Sequence, residues 1–224
     1  MNIGIFGSGI VAQTLGTHLS TAGHDVVLGT RTPGDVDTKR GMGTSLGQWL
    51  DAAGPHGSVA TFQGCAAHGE VLINATAGTA SMEALRLAGE AELADKILLD
   101  VANPLDFSRG MPPSLTICNT SSLGETIQAA YPAAKVVKTL NTMNAHIMVD
   151  PASVGGGDHH VFVSGNDADA KRTVTGYLQD WFGWKEVLDL GGIETARGAE
   201  MILPIWLSLW GSIGSPRFNF KIVR

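Results

Sequence analysis

Charge is scarce in this 224-residue chain: 15 Lys and Arg stand against 21 Asp and Glu, 16% of all residues, for a net charge of −6. No basic tract breaks that balance, so no nucleic-acid partner is expected. Cysteine is nearly absent. Cys65 and Cys118 have neither metal-type spacing nor a disulfide framework to join, and the plain expectation is two reduced, buried thiols in a cytoplasmic protein. Long hydrophobic runs are missing as well. The most apolar stretch, Met201–Ile213, is about thirteen residues and is broken by Pro204, whereas a bilayer span takes roughly twenty. The chain opens at once on an apolar run at Ile3, so no leader and no membrane anchor are expected. There are no internal repeats, no low-complexity segment and no cysteine beside a histidine. His159 and His160 are the one adjacent histidine pair, and strand neighbours point to opposite faces, so no metal site is expected.

What the chain does have is glycine, 29 residues of it, and its placement organises the rest. Ile3, Ile5 and Phe6 form a short apolar run that stops at Gly7 and reads as a buried parallel strand. Gly7-Ser8-Gly9-Ile10-Val11-Ala12 then follows the pattern G-x-G-x-x-A. In that pattern the first glycine permits the sharp turn, the second lets a diphosphate approach the backbone, and the alanine packs the next helix on the sheet. The free amides at the helix start favour an anion. Val11, Leu15 and Leu19 continue as a helix to about Gly23, and Val26–Leu28 is a second strand. Such a βαβ unit is the dinucleotide-binding fingerprint. An NAD enzyme ends its second strand with an acid; here the strand ends Gly29-Thr30-Arg31-Thr32. A guanidinium flanked by two hydroxyls suits a 2′-phosphate, which points to NADP.

Further along, the pattern predicts a helix over Leu46–Ala53, a strand over Ser58–Phe62, a linker helix or turn at Cys65–His68 and a strand over Glu70–Thr76. A helix from Ser81 to about Glu92 and strands over Ile97–Asp100 and Lys135–Leu140 come next. Between those strands, Met111-Pro112-Pro113 marks a loop and Leu123–Ala130 a helix, capped by Ser121 or by Ser122 with Glu125 three residues after the latter. Asn103-Pro104 makes a turn whose exposed amide suits either a nicotinamide contact or simple turn chemistry. After Pro151 the pattern predicts a strand at Val161–Val163, a helix over Asp167–Trp181, a strand over Glu186–Leu190, one long helix over Ile193–Ser212 and a final strand or strap at Phe218–Val223. The fold class is therefore α/β: a Rossmann-type, doubly wound, mostly parallel sheet with helices on both faces and a C-terminal helical and strap extension. It is expected as a single domain, residues 1–150 forming the dinucleotide-binding core and 151–224 completing the sheet and covering the acceptor side. No catalytic acid or base is assigned; His146, just past a strand end, is either a proton donor or a polar residue starting a helix.

These motifs resemble the NADPH-dependent reductases of the 8-hydroxy-5-deazaflavin coenzyme, coenzyme F420, and their relatives, the NADP-binding domains of membrane ferric reductases. The matching pieces are Ile3–Gly9, Leu28–Arg31, Asn103-Pro104-Leu105, Val137–Thr142 and Arg197–Trp206. The resemblance implies a soluble NADP-dependent oxidoreductase that moves a hydride between NADP(H) and a deazaflavin or flavin. It implies diphosphate contacts from Ser8, Gly9, Ile10 and Val11 beside Gly7, and 2′-phosphate contacts from Thr30, Arg31 and Thr32. It further implies nicotinamide-side contacts from Ala75, Thr76, Ala77, Asn103, Pro104, Asn141 and Thr142. Pro33-Gly34-Asp35 stands where the family carries a second cation, so Lys39 or Arg40 would have to reach back. Leu140–Ala145 departs from the deazaflavin reductases toward the ferric-reductase relatives, which leaves the acceptor open. The alternatives are a reductase of a small carbonyl or imine compound and a non-catalytic NADP-sensing module. The apolar helix around Trp206 and Trp210, together with the dimeric habit of the family, implies a homodimer, with either tryptophan placed to pack on the second cofactor.

Overall fold

The strands with the most apolar sequences lie at the centre of one eight-stranded sheet. The computed structural model describes all 224 residues. In chain order the elements are β1 (Asn2–Phe6), α1 (Ile10–Thr21), β2 (Asp25–Gly29), α2 (Leu46–Ala53), β3 (Gly57–Ala60), α3 (Phe62–His68), β4 (Val71–Asn74), α4 (Gly78–Ala88), α5 (Glu90–Leu93) and β5 (Ile97–Asp100). They continue with β6 (Leu105–Asp106), β7 (Ser114–Leu115), α6 (Leu123–Ala130), β8 (Lys135–Thr139), α7 (Ala145–Val149), β9 (His160–Ser164), α8 (Ala168–Phe182), β10 (Glu186–Gly191), α9 (Ala196–Met201) and α10 (Leu203–Ile213). The sheet order is β10-β9-β8-β5-β4-β1-β2-β3. β8, β5, β4, β1, β2 and β3 run parallel; β9 turns antiparallel to β8, and β10 pairs parallel with β9. The sheet reverses direction of growth between β1 and β4, which opens a crevice at the carboxyl ends of those strands.

Strands buried on both faces explain the low charge. Ile3, Ile5, Val71 and Ile73 pack toward α1 and α2, whereas Phe6, Leu72 and Leu98 pack toward α3, α4 and α6. Several expected boundaries move. β3 stops at Ala60 because the Thr61 hydroxyl accepts from the Gly64 amide (3.2 Å), so Phe62 starts a helix instead of ending a strand. The helix expected over Ser81–Glu92 starts earlier, at Gly78, and breaks at Gly89, whose φ of +91° only glycine adopts readily. The helix expected over Ile193–Ser212 is a 3-10 turn followed by α9 and α10, jointed at Ile202 because Pro204 has no N–H for the carbonyl of Glu200. Phe218–Val223 is a strap, not a strand: the Phe220 carbonyl accepts from the His160 amide (3.0 Å) and the His160 ring accepts from the Ile222 amide (3.2 Å). The β6–β7 hairpin lies within what reads as loop. Cys65 is buried, and burial pushes its thiol up to about 12, but Cys118 is exposed, against expectation.

One side chain ties the C-terminal part to the core. Asn74, Asp100 and Lys138 stand in register across β4, β5 and β8. Lys138, fully buried, reaches Asp100 Oδ2 (2.9 Å), Glu200 Oε1 on α9 (2.8 Å) and the Ala102 carbonyl. An ammonium has three N–H donors, and all three are used. Glu200 also accepts the Leu123 and Gly124 amides (2.8 and 3.1 Å), so it caps the start of α6. Burial disfavours the Lys138 charge most strongly, yet the two carboxylates together outweigh it and raise its pKa above the ordinary lysine value. Lys138→Met should lower the unfolding free energy by ~3–5 kcal/mol, because it strands two carboxylates in the interior; urea titration measures this, and a loss under about 1 kcal/mol would contradict it. The raised pKa sets the sign with pH: this stability is complete below the ordinary lysine value of about 10.4 and is lost as pH rises through the higher folded value. The variant should lose that alkaline dependence.

Candidate active site

The site grows from the carboxyl ends of β1, β2, β4 and β5. Gly7 leaves β1 with φ +118°, and a β-carbon there would stand 2.6 Å from the Ala75 carbonyl oxygen, so only glycine lets these two strand ends meet. Gly9 is different: its φ is −83° and a β-carbon there would meet nothing within 4 Å. The space over Gly9 is open. No side chain caps α1, so its first amides remain free to bind an anion. Ala12 is fully buried under the helix, as the motif requires.

Around that turn lies a cavity of about 830 Å³ lined by Gly7, Ser8, Gly9, Ile10, Thr30, Arg31, Thr32 and Ala75–Ala77. Thr30 is buried, and its hydroxyl lies 3.5 Å from the Thr32 amide; Arg31 and Thr32 are exposed. Of the two cations that could reach back, Arg40 does so. Its guanidinium donates to Thr32 Oγ1 (3.2 Å) and the Asp35 carbonyl (2.7 Å), pairs with the Asp35 carboxylate (3.1 Å) and lines the same cavity. Lys39 instead bridges to Ser45 through its backbone. Glu83 stands at the rim, engaged by Arg86, whose hydrogen bond holds its carboxyl below the usual value.

A second cavity, about 260 Å³, continues past Ala75, Thr76 and Ala77. Val11, Asn103 and Asn141 line it from the expected set, as does Trp206, one of the two tryptophans expected at the acceptor side, and Met143, Met148, Leu105, Phe107 and Leu203 supply further apolar walls. Asn103 and Asn141 clasp each other, Nδ2 of Asn103 donating to the Asn141 carbonyl (2.8 Å) and Nδ2 of Asn141 to Asn103 Oδ1 (2.9 Å). Asn141 Nδ2 also reaches the Ala199 carbonyl (3.1 Å). Pro104 and Thr142 are buried and do not line either cavity. Thr76 is held from behind: Asn74 Oδ1 accepts from its hydroxyl (2.7 Å), and Asn74 Nδ2 donates to Asp100 Oδ1 (2.9 Å). The polar row of β4, β5 and β8 therefore ends in the wall shared by both cavities.

None of the sixteen residues lining the second cavity carries an ionisable side chain. His146 lines neither of these cavities; it sits in the groove on the far side of α1, with Thr14 and His18. Trp206 is buried and stacks on Phe218 of the strap with 5.3 Å between ring centroids, while Trp210 lies behind it and does not line the cavity. The rings of His159 and His160 are taken up by Pro151, Asn219 and the strap.

Comparison with known proteins places the chain in a family. A family model described as NADP oxidoreductase coenzyme F420-dependent matches residues 2–104. A candidate F420-dependent NADP reductase from Arthrobacter sp. FB24, known from a 1.70 Å crystal structure, is 53% identical with a TM-score of 0.94 over the whole of both chains. The chain belongs to the coenzyme F420-dependent NADP oxidoreductase family. It is accordingly an NADP-dependent oxidoreductase. The metalloreductase STEAP3 of Rattus norvegicus is 32% identical over 209 residues, which is 91% of this chain but 37% of that protein, so the chain spans little more than a third of that relative. An imine reductase from Myxococcus stipitatus in complex with NADP+ shares the fold at 13% identity, with a TM-score of 0.66 over 95% of this chain and 64% of its own.

The contrast between the two motif glycines is open to direct test. Gly7→Ala should lower stability by about 1–3 kcal/mol through backbone strain and the collision with Ala75. Gly9→Ala should leave the melting temperature unchanged. Thermal unfolding of the two variants checks this, and equal losses would refute it.

Proposed function

We propose that this chain transfers a hydride between NADP(H) and a second ring-shaped redox cofactor, a deazaflavin or a flavin. The observation that carries the proposal is the second cavity: apolar walls, amide and hydroxyl groups, and no ionisable side chain to serve as a general acid. Reducing a carbonyl or imine develops charge on oxygen or nitrogen that needs a placed acid. A conjugated ring system spreads the incoming charge over its own atoms and takes its proton from solvent. What the protein must then supply is a face-to-face alignment and a dry wall.

The residues fit NADP(H), which supplies the hydride. The uncapped amides of Ser8–Val11 and the open space over Gly9 suit a diphosphate. Arg31, Thr32 and Arg40 suit a 2′-phosphate, with Thr30 buried behind them. Ala75–Ala77, Asn103 and Asn141 would border the nicotinamide, with Pro104 and Thr142 as supports. Met143, Met148, Leu203 and Trp206 would exclude water from the facing ring.

Steady-state NADPH oxidation with a deazaflavin, a flavin and a panel of carbonyl and imine compounds tests the proposal. Turnover should occur with the ring acceptors alone, with kcat flat in pH except where the acceptor itself titrates. Carbonyl turnover with a bell-shaped pH profile would overturn it. A second prediction concerns assembly. α10 turns Leu203, Trp206 and Leu207 inward but leaves Ile205 and Ile213 more than half exposed. An apolar face of that kind on a helix suits a two-fold contact. Light scattering at micromolar concentration should give a dimer, and Ile205→Asp with Ile213→Asp should give a monomer; a wild-type monomer would refute the idea.

A further inference from the structure

Gln13 is a polar residue on the buried side of α1, only 5% exposed among Ala12, Leu15 and Leu19. A primary amide in that position has two donor hydrogens and two acceptor lone pairs to satisfy. All four are used. Nε2 donates to the Ser8 carbonyl (3.0 Å) and to the Thr44 carbonyl (2.9 Å). Oε1 accepts from the Thr44 amide (2.8 Å) and the Thr44 hydroxyl (3.0 Å). The amide thus pairs with the backbone of Thr44 as a neighbouring strand would, and holds the glycine-rich turn with the same group.

Thr44 closes the turn that begins at Arg40. The Arg40 amide donates to the Thr44 carbonyl (3.1 Å) and the Gly43 amide to the Arg40 carbonyl (2.9 Å). Gly43 packs so closely that a β-carbon there would lie 2.7 Å from Gln13 Oε1. Arg40 then extends from this turn back to Thr32 and Asp35 in the large cavity, while Gln13 is not among that cavity's walls. Between the end of β2 and the start of α2 the chain makes no helix or strand of its own, so this side-chain clamp does what a backbone ladder would otherwise do.

We infer that Gln13 is a specificity-positioning residue. It fixes the Arg40 turn at a set distance from the glycine-rich turn, so that a ligand with both a diphosphate and a 2′-phosphate meets two anion sites already in register. A loop held by these four hydrogen bonds needs less ordering on binding, so less of the phosphate contact is offset by entropy. The inference rests on the reading of the large cavity as an NADP(H) site, and goes beyond it by placing cofactor choice partly in a residue that never touches the cofactor.

The test is fluorescence titration of Gln13→Leu and Gly43→Ala with NADPH and NADH, and calorimetry with 2′,5′-ADP and AMP, each at several ionic strengths. Both variants should bind NADPH and 2′,5′-ADP about tenfold more weakly, the worth of one charge-assisted contact. NADH and AMP should change less than about twofold, and the salt dependence of 2′,5′-ADP binding should become shallower. Equal losses for the ligands with and without a 2′-phosphate would overturn the inference, since Gln13 would then only shape the glycine-rich turn. No loss in either variant would overturn it as well. Gly43→Ala strains the clamp from the opposite side and carries the test if Gln13→Leu does not fold. Arg31→Ala and Arg40→Ala separate the two levels. If these lose the preference for 2′,5′-ADP and the Gln13 and Gly43 variants keep it, the inference alone fails; if neither arginine variant loses it, the NADP(H) assignment of that cavity fails and the inference with it.

Discussion

The ammonium of Lys138 is the group on which the rest of the molecule converges. Two carboxylates and one ammonium, all buried, leave a net negative charge in the interior. The start of α6 balances it, because Glu200 receives two backbone amides there as well as the positive end of the helix. Neither Asp100 nor Glu200 is therefore an isolated charge in a low dielectric, and each is anchored in more than one direction. From this point one chain of hydrogen bonds runs through Asp100 and Asn74 to Thr76, and another runs along α9 to Ala199 and Asn141. Both end in the wall of the small cavity. An interior charge cluster so placed fixes geometry at a site it does not enter.

That arrangement divides the crevice into two chemical regions. One end is built from free amides, hydroxyls and guanidinium groups, which suit phosphate. The other is built from methionines, Leu203 and Trp206, with a clasped pair of asparagines and no ionisable group. The shared strip, Ala75–Ala77, has small side chains. A flat ring can approach backbone there from either end, and the alanines keep the strip narrow.

Much of this was legible in the sequence because local rules decide it. A glycine at Gly7, an alanine at Ala12 and a cation at Arg31 each follow from backbone or phosphate chemistry that acts within one βαβ unit. The central strands read clearly because they are buried on both faces. The long-range features were not legible. Nothing near Lys138 in the chain shows that its partner is Glu200, 62 residues on, and Gln13 finds Thr44 only through the path of a loop. A signal existed: Asn74, Asp100 and Lys138 each occupy an inward position of an apolar strand, where a polar side chain must have a partner. The jointed C-terminal helix and the early start of α4 were misplaced because hydrophobic period marks the face of a helix better than its ends. His146 was a candidate only by its distance from a strand end, and α7 carries it to the other side of α1.

The placement of Glu200 also bears on how such a chain can change over time. The acid lies in the C-terminal part and its lysine in the core, so neither position can be inherited without the other. A C-terminal segment exchanged from a relative keeps the third Lys138 donor and the first amides of α6 satisfied only if it brings a carboxylate to that point of α9 and meets a lysine on β8. The two parts read as separate blocks along the sequence, but at this joint they are a single heritable unit.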